Sequence, residues 1–174
     1  NICLGGGALC LNKTGTDNIA IGCSSLYSAN SGDYNVALGP NSMVSNYQGC
    51  YNFASGYYAM YGNTKGCYNL GIGYYALYGN STGCDNIAFG NMALGGNTTG
   101  NCNVGIGKSA AGSTSYGYMN VAVGATSLNS NTAGAHNTAV GGAAMYANTG
   151  SSNTGIGSYA GCNNSDGGCN MFAG

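Results

Sequence analysis

Cysteine has the most chemistry to offer in this 174-residue chain, and nine are present. Cys50, Cys67 and Cys84 follow one another at 17-residue intervals, with Cys102 one residue out of step. If residues 17 apart are stacked neighbours, their Cα atoms lie about 5 Å apart, inside disulfide range. Two readings are open for Cys50, Cys67, Cys84 and Cys102. They are oxidised staples in an extracellular setting, within or between chains, or inert thiols standing in for Ala or Ser. Nine is odd, so at least one thiol is free or joined to another chain. Cys10 and Cys162 share a phase but lie too far apart to meet. There is no C-x-x-C pair, and the single histidine, His136, falls in a turn without a partner; no metal and no cofactor are expected.

Acid-base and nucleophilic chemistry have little to work with. Asp17 and Asp85 share a phase four repeats apart, Asp33 and Asp166 lie elsewhere, and Glu is absent. Paired acids, or a nucleophile beside a base, are missing, so no enzymatic activity is expected. The strings Gly71-Ile72-Gly73 and Gly105-Ile106-Gly107 recur as strand ends with no following helix, which fails the context of a nucleotide-binding loop. Tyrosine is the better lead. Tyr57, Tyr58, Tyr74 and Tyr75, with Tyr51, Tyr61, Tyr68 and Tyr78, crowd into adjacent repeats. Such a band binds sugar rings through apolar faces and hydroxyls, or packs on itself as stacked aromatic rows do. N-glycosylation sequons begin at Asn12, Asn80, Asn97 and Asn163, in turns expected to be exposed.

The element that must position these side chains is a 17-residue coil. Asn recurs at 1, 18, 35, 52, 69, 86, 103, 120, 137, 153 and 170, with Gly four residues after each, from Gly5 to Gly174. The chain is thus one repeat domain, 1–174, of ten coils and a half coil at 170–174, read as part of a longer chain or fibre. The coil at 137–152 has 16 residues, one being lost in a turn.

Large apolar residues at the second and fourth positions of a coil (Ile19 and Ile21, Leu70 and Ile72) alternate as in a strand. A second short strand is expected around the eighth and ninth positions, as at Ala76 and Leu77. The expected fold is all-β: a parallel β-roll or β-solenoid of two short strands per coil, about 50 Å long at 4.8 Å per coil. Stacked Asn18, Asn35, Asn52, Asn69, Asn86, Asn103, Asn120, Asn137 and Asn153 would form an amide ladder. The turn Gly, as at Gly15, Gly32 and Gly83, is expected to supply a positive φ. With the bulky positions packed inside on the ninth, Ala20, Ala37, Ala54, Gly71, Ala88, Gly105, Ala122 and Ala139 would form a flat outer strip. That strip calls for self-association, as does the opposite face if the two are reversed, since the strand is apolar on both sides. The simplest form is three rolls about one axis.

Composition removes several classes of partner. Three Lys, no Arg and four Asp leave no basic stripe for nucleic acid. The 44% hydrophobic content in strict phase argues against disorder. No apolar run is long enough to span a membrane, and no signal-peptide pattern opens the chain.

The pattern N-[IV]-[AG]-[IVL]-G-x-x-[AS]-[LM]-Y-x-N-T-x-G resembles the repeats of trimeric phage and virus tail fibres. More distantly, it is similar to the head domains of trimeric autotransporter adhesins. The resemblance covers the whole chain and implies a left-handed parallel β-roll with three chains side by side, serving as a rigid stalk or a surface-binding head. The chain differs in coil length and in its Cys residues. The expected function is a structural, extracellular fibre, stalk or filament, on a cell surface or virion. Its partner would be itself, as a trimer or an end-to-end filament. The alternative is a head that binds cell-surface glycans through the Tyr57 to Tyr78 band. A remote third is ice binding by the in-phase Thr64, Ser81, Thr98, Ser115, Thr132, Thr149 and Ser165.

Overall fold

Each Asn-to-Gly segment leaves room for three extended residues, and these are the only regular elements among the described residues. A computed structural model of the chain describes residues 1–165 and 167–174; Asp166 lies outside the described residues. The strands are β1 (Ile2–Leu4), β2 (Ile19–Ile21), β3 (Val36–Leu38), β4 (Phe53–Ser55), β5 (Leu70–Ile72) and β6 (Ile87–Phe89). They continue as β7 (Val104–Ile106), β8 (Val121–Val123), β9 (Thr138–Val140), β10 (Thr154–Ile156) and β11 (Met171–Ala173). All 11 lie in one parallel sheet in chain order, the single ladder of a β-solenoid. Register follows the repeat: Ala37 pairs with Ala54, and Gly71 with Ala88. Across the shortened coil Thr138 still pairs with Thr154, so the lost residue is absorbed outside the strand.

The second strand per coil does not form. At the seventh and ninth positions the backbone turns left-handed, as at Tyr75 (φ 57°) and Leu77 (φ 51°), which extended chain cannot do. Local turns take over, with Ala76 N donating to Gly73 O and Asn80 N to Leu77 O. These turns nonetheless stack. Leu77 N donates to Ala93 O of the next coil, and Tyr75 N to Tyr57 O of the previous one. Inter-coil bonding therefore continues well beyond the strands, which is how three-residue strands hold a rod together.

The two faces of the sheet are the reverse of the expected ones. Ala20, Ala37, Ala54, Ala88, Ala122 and Ala139 are fully buried, and Gly71 and Gly105 are buried with them. They pack on the ninth-position side chains Leu26, Met43, Met60, Leu77, Leu94, Leu128 and Met145, all fully buried. A Cβ on Gly71 would meet Met60 Cγ at 2.9 Å, so this row fills the narrow interior and cannot be an outer contact strip. The physical reason lies in the first position. Asn69 and Gly71 share a strand face by the two-residue period, and the Asn amides are committed to the interior, so Leu70 and Ile72 must face out.

The turn Gly also has a different task. Gly15, Gly32 and Gly83 are absent from the positive-φ positions. A Cβ on Gly83 would sit 2.3 Å from Gly100 O and 2.5 Å from Asn80 Oδ1, so close coil-to-coil approach excludes a side chain. The Gly four residues after each ladder Asn is the one that adopts positive φ, 134° at Gly73.

Candidate functional site

The Asn ladder is present from end to end. In each step the side-chain Oδ1 accepts the backbone N–H of the next Asn: Asn52 to Asn69 at 3.0 Å, Asn69 to Asn86 at 3.0 Å, Asn137 to Asn153 at 2.9 Å. Each Nδ2 reaches a turn carbonyl of its own coil, as Asn69 to Gly83 O at 2.8 Å. The same pattern holds at Asn18, Asn35, Asn52, Asn86, Asn103, Asn120, Asn137 and Asn153. Buried amides are thereby saturated with partners, which makes the row structural.

A second amide ladder was not foreseen from the sequence. Asn63, Asn80 and Asn97, at the twelfth position, each donate Nδ2 to the preceding Asn Oδ1 at 2.7–2.8 Å. This row corrects the reading of the sequons. Asn80 and Asn97 are fully buried, so oligosaccharide cannot reach them in the folded chain. Asn12 is half-buried and bonds Gly15 O, and only Asn163 is exposed. The signal was available in the phase, since Asn stands at this position in eight of the ten coils. Where the row is interrupted by Ala29 and Thr114, the orphaned Asn12 Oδ1 and Asn97 Oδ1 are buried without partners.

Cys50, Cys67 and Cys84 form a thiol row, with no disulfide among them. All nine thiols are free. Cys50 N donates to Cys67 Sγ at 3.1 Å and Cys67 N to Cys84 Sγ at 3.2 Å. Each sulfur also donates to a carbonyl two residues back, such as Cys67 to Lys65 O at 3.4 Å. The sixteenth position thus needs an acceptor for the previous coil's N–H. Asp33 supplies it for Thr16, Asn101 for Cys84 and Ser151 for Ala135. Burial pushes the Cys67 thiol up, against the lowering hydrogen bond from Cys50. Cys102 stands apart at the exposed seventeenth position. Among the described residues no cluster of three His, Cys, Asp or Glu could hold a metal ion.

Tyrosines fall into two groups. Tyr57, Tyr58, Tyr61, Tyr74, Tyr75 and Tyr78 make a mutual cluster, with Tyr57 and Tyr58 edge-on at 4.3 Å and Tyr61 stacked on Tyr78 at 5.5 Å. The hydrogen bond to Tyr58 and lost solvent raise the Tyr57 pKa; lost solvent, then Tyr74, raises that of Tyr75. Separately, Tyr34, Tyr51 and Tyr68 form a parallel column, centroids 4.8 and 5.1 Å apart and planes within 10°. Asp17, beside Tyr34, raises the pKa of that phenol. The Thr and Ser row is engaged with backbone: Thr64, Ser81 and Thr98 donate to the next coil's carbonyls at 2.9–3.0 Å.

The outward sheet face has no partner within the chain among the described residues. Its second-position row runs Ile19, Val36, Phe53, Leu70, Ile87, Val104 and Val121. Its fourth-position row runs Ile21, Leu38, Ser55, Ile72, Phe89, Ile106, Val123 and Val140. These residues are half-buried to exposed, Ile87 at 40% and Phe89 at 54%, and no charge interrupts either row.

Comparison with family models, with curated proteins and with solved structures finds no match.

Proposed function

We propose that this chain is a structural protein: a rigid β-solenoid that associates with copies of itself through the outer sheet face, forming an extracellular fibre or stalk. The observation that carries this reading is the pair of uncharged, mainly apolar rows along the sheet, in which Ser55, Thr138 and Thr154 are the polar members between β2 and β10. Their area is on the order of 500 Å², from about 50 Å of stacked coils and roughly 10 Å of strand. A patch of that size lies in the upper part of the range that monomers expose, where patches are often functional, and parallel sheets are normally covered on both faces. A second copy is the fitting cover because its face has the same coil spacing, lacks charge and is self-complementary. Three rolls around one axis would bury the face completely, in keeping with the resemblance to trimeric fibres.

The test is Ile87→Lys with Phe89→Lys. Both side chains point outward, so the monomer should keep its circular dichroism while sedimentation shifts from oligomer to monomer. A parent protein that sediments as a monomer at high concentration would end this reading.

Half-exposed Tyr57 and Tyr74 favour a second reading, glycan binding by the tyrosine cluster. Glycan-array binding that is lost on Tyr57→Ser with Tyr74→Ser would support it, and unchanged binding would exclude the site.

A further inference from the structure

We propose that Tyr34, Tyr51 and Tyr68 are a site of oxidative dityrosine cross-linking, in which neighbouring coils of one chain become covalently joined through their stacked phenol rings. Three observations carry the inference. The rings are the closest of the stacked tyrosine pairs, with centroids at 4.8 and 5.1 Å and interplanar angles of 10° and 4°. They are open to an oxidant, at 48%, 49% and 59% exposure. Finally, the column is fixed by backbone: all three residues hold φ between 56° and 58°, and Tyr51 N and Tyr68 N donate to the previous coil at Asp33 O and Cys50 O.

The chemistry balances as follows. Each of two phenols gives up one electron and its hydroxyl proton. The radicals join by a new bond between ring carbons ortho to oxygen. The hydrogen on each joined carbon then moves to oxygen, restoring both phenols, and no heavy atom leaves. Hydrogen peroxide, acting through a haem peroxidase, takes up the two electrons and two protons and becomes two waters. Such a link would fasten coils that otherwise depend on hydrogen bonds, and it requires only one chain. It therefore stands or falls independently of self-association.

Cys50 and Cys67 each precede a column tyrosine and would quench its radical, so the experiment uses the chain carrying Cys50→Ser, Cys67→Ser and Cys84→Ser. Serine preserves the acceptor role, as Ser151 Oγ does for Ala135 N at 3.0 Å. Dilute protein is treated with a haem peroxidase and limiting hydrogen peroxide, then cut after lysine and read by mass spectrometry. The expected products are the 14–65 peptide lighter by two hydrogens, from Tyr34 joined to Tyr51, and 14–65 joined to 66–108, from Tyr51 joined to Tyr68. Fragment spectra should place both links at Tyr51. Tyr51→Phe, which keeps a stackable ring, should abolish both products, whereas Tyr47→Phe, at an exposed tyrosine outside the column, should leave them unchanged. The proposal is overturned if no link forms, if links join only different chains, if the links map to the Tyr57 to Tyr78 cluster, or if Tyr51→Phe leaves the yield intact.

Discussion

Asn69 shows how much one side chain does in this architecture. Its Oδ1 accepts from both Asn86 N and Asn86 Nδ2, and its Nδ2 donates to Gly83 O and Asn52 Oδ1. Asn69→Ala would leave the buried Asn86 N–H without its acceptor, while the Gly83 carbonyl keeps Asn80 Nδ2, a loss on the order of 2 kcal/mol. Chemical denaturation should register that loss, and an undiminished midpoint would show that the ladder does not hold the coils. The tyrosines give a pH test at the same scale. Asp17 raises the Tyr34 pKa, the bond to Tyr58 raises that of Tyr57, and lost solvent raises that of Tyr75. Because the folded pKa values lie above the unfolded value of about 10, the stability from these groups is complete below that pH. It is lost as pH climbs through the folded values. Phenolate absorbance should rise later than in the unfolded chain, and the thermal midpoint should fall in the same alkaline window. Phenols ionising at the ordinary value with the midpoint unchanged would refute this.

At the scale of the coil, two glycines that look alike in sequence should behave differently. Gly83→Ala places a Cβ against the backbone carbonyl of Gly100 and against the buried, hydrogen-bonded amides of Asn80 and Asn97, none of which is free to move aside. Gly71→Ala meets only the flexible Met60, at 2.9 Å from Cγ, in a row where Ala54 and Ala88 are the neighbours. Gly83→Ala should therefore lower the thermal midpoint severely or prevent folding. Gly71→Ala should change stability by about 1 kcal/mol or less, within the range of a small core adjustment. Equal effects in a melting experiment would contradict this division of roles.

For the whole molecule, the defining feature is a thin interior beside a broad apolar exterior. Seven of the ten coils bury one Leu or Met with small residues and Asn, and hydrogen bonds to the coils on either side carry much of the cohesion. Such a rod is quasi-one-dimensional: each coil interacts only with its neighbours. Copies that cover the sheet face would add the long-range burial that a single roll lacks. The sedimentation shift expected of Ile87→Lys with Phe89→Lys belongs to this scale, because the substitutions change no contact within the chain's interior.

The 17-residue phase of Asn and Gly by itself determined the parallel solenoid, its coil boundaries and its first amide ladder, because in-phase stacking puts identical residues on one another. Tertiary structure decided which way the strand faces. Alternation of Leu70, Gly71 and Ile72 says only that the faces differ; the inward commitment of Asn69 selects Gly71 for the core. It also replaced the second strand with stacked left-handed turns at Tyr75 and Leu77, since apolar spacing does not encode the sign of φ. Buried Asn80 and Asn97 could not be told from exposed turn residues by composition alone. The thiol row and the Tyr34, Tyr51 and Tyr68 column have the phase written in the sequence. Only the folded chain shows that the thiols accept backbone N–H groups and that the rings lie parallel, because side-chain direction at a coil corner depends on the local backbone.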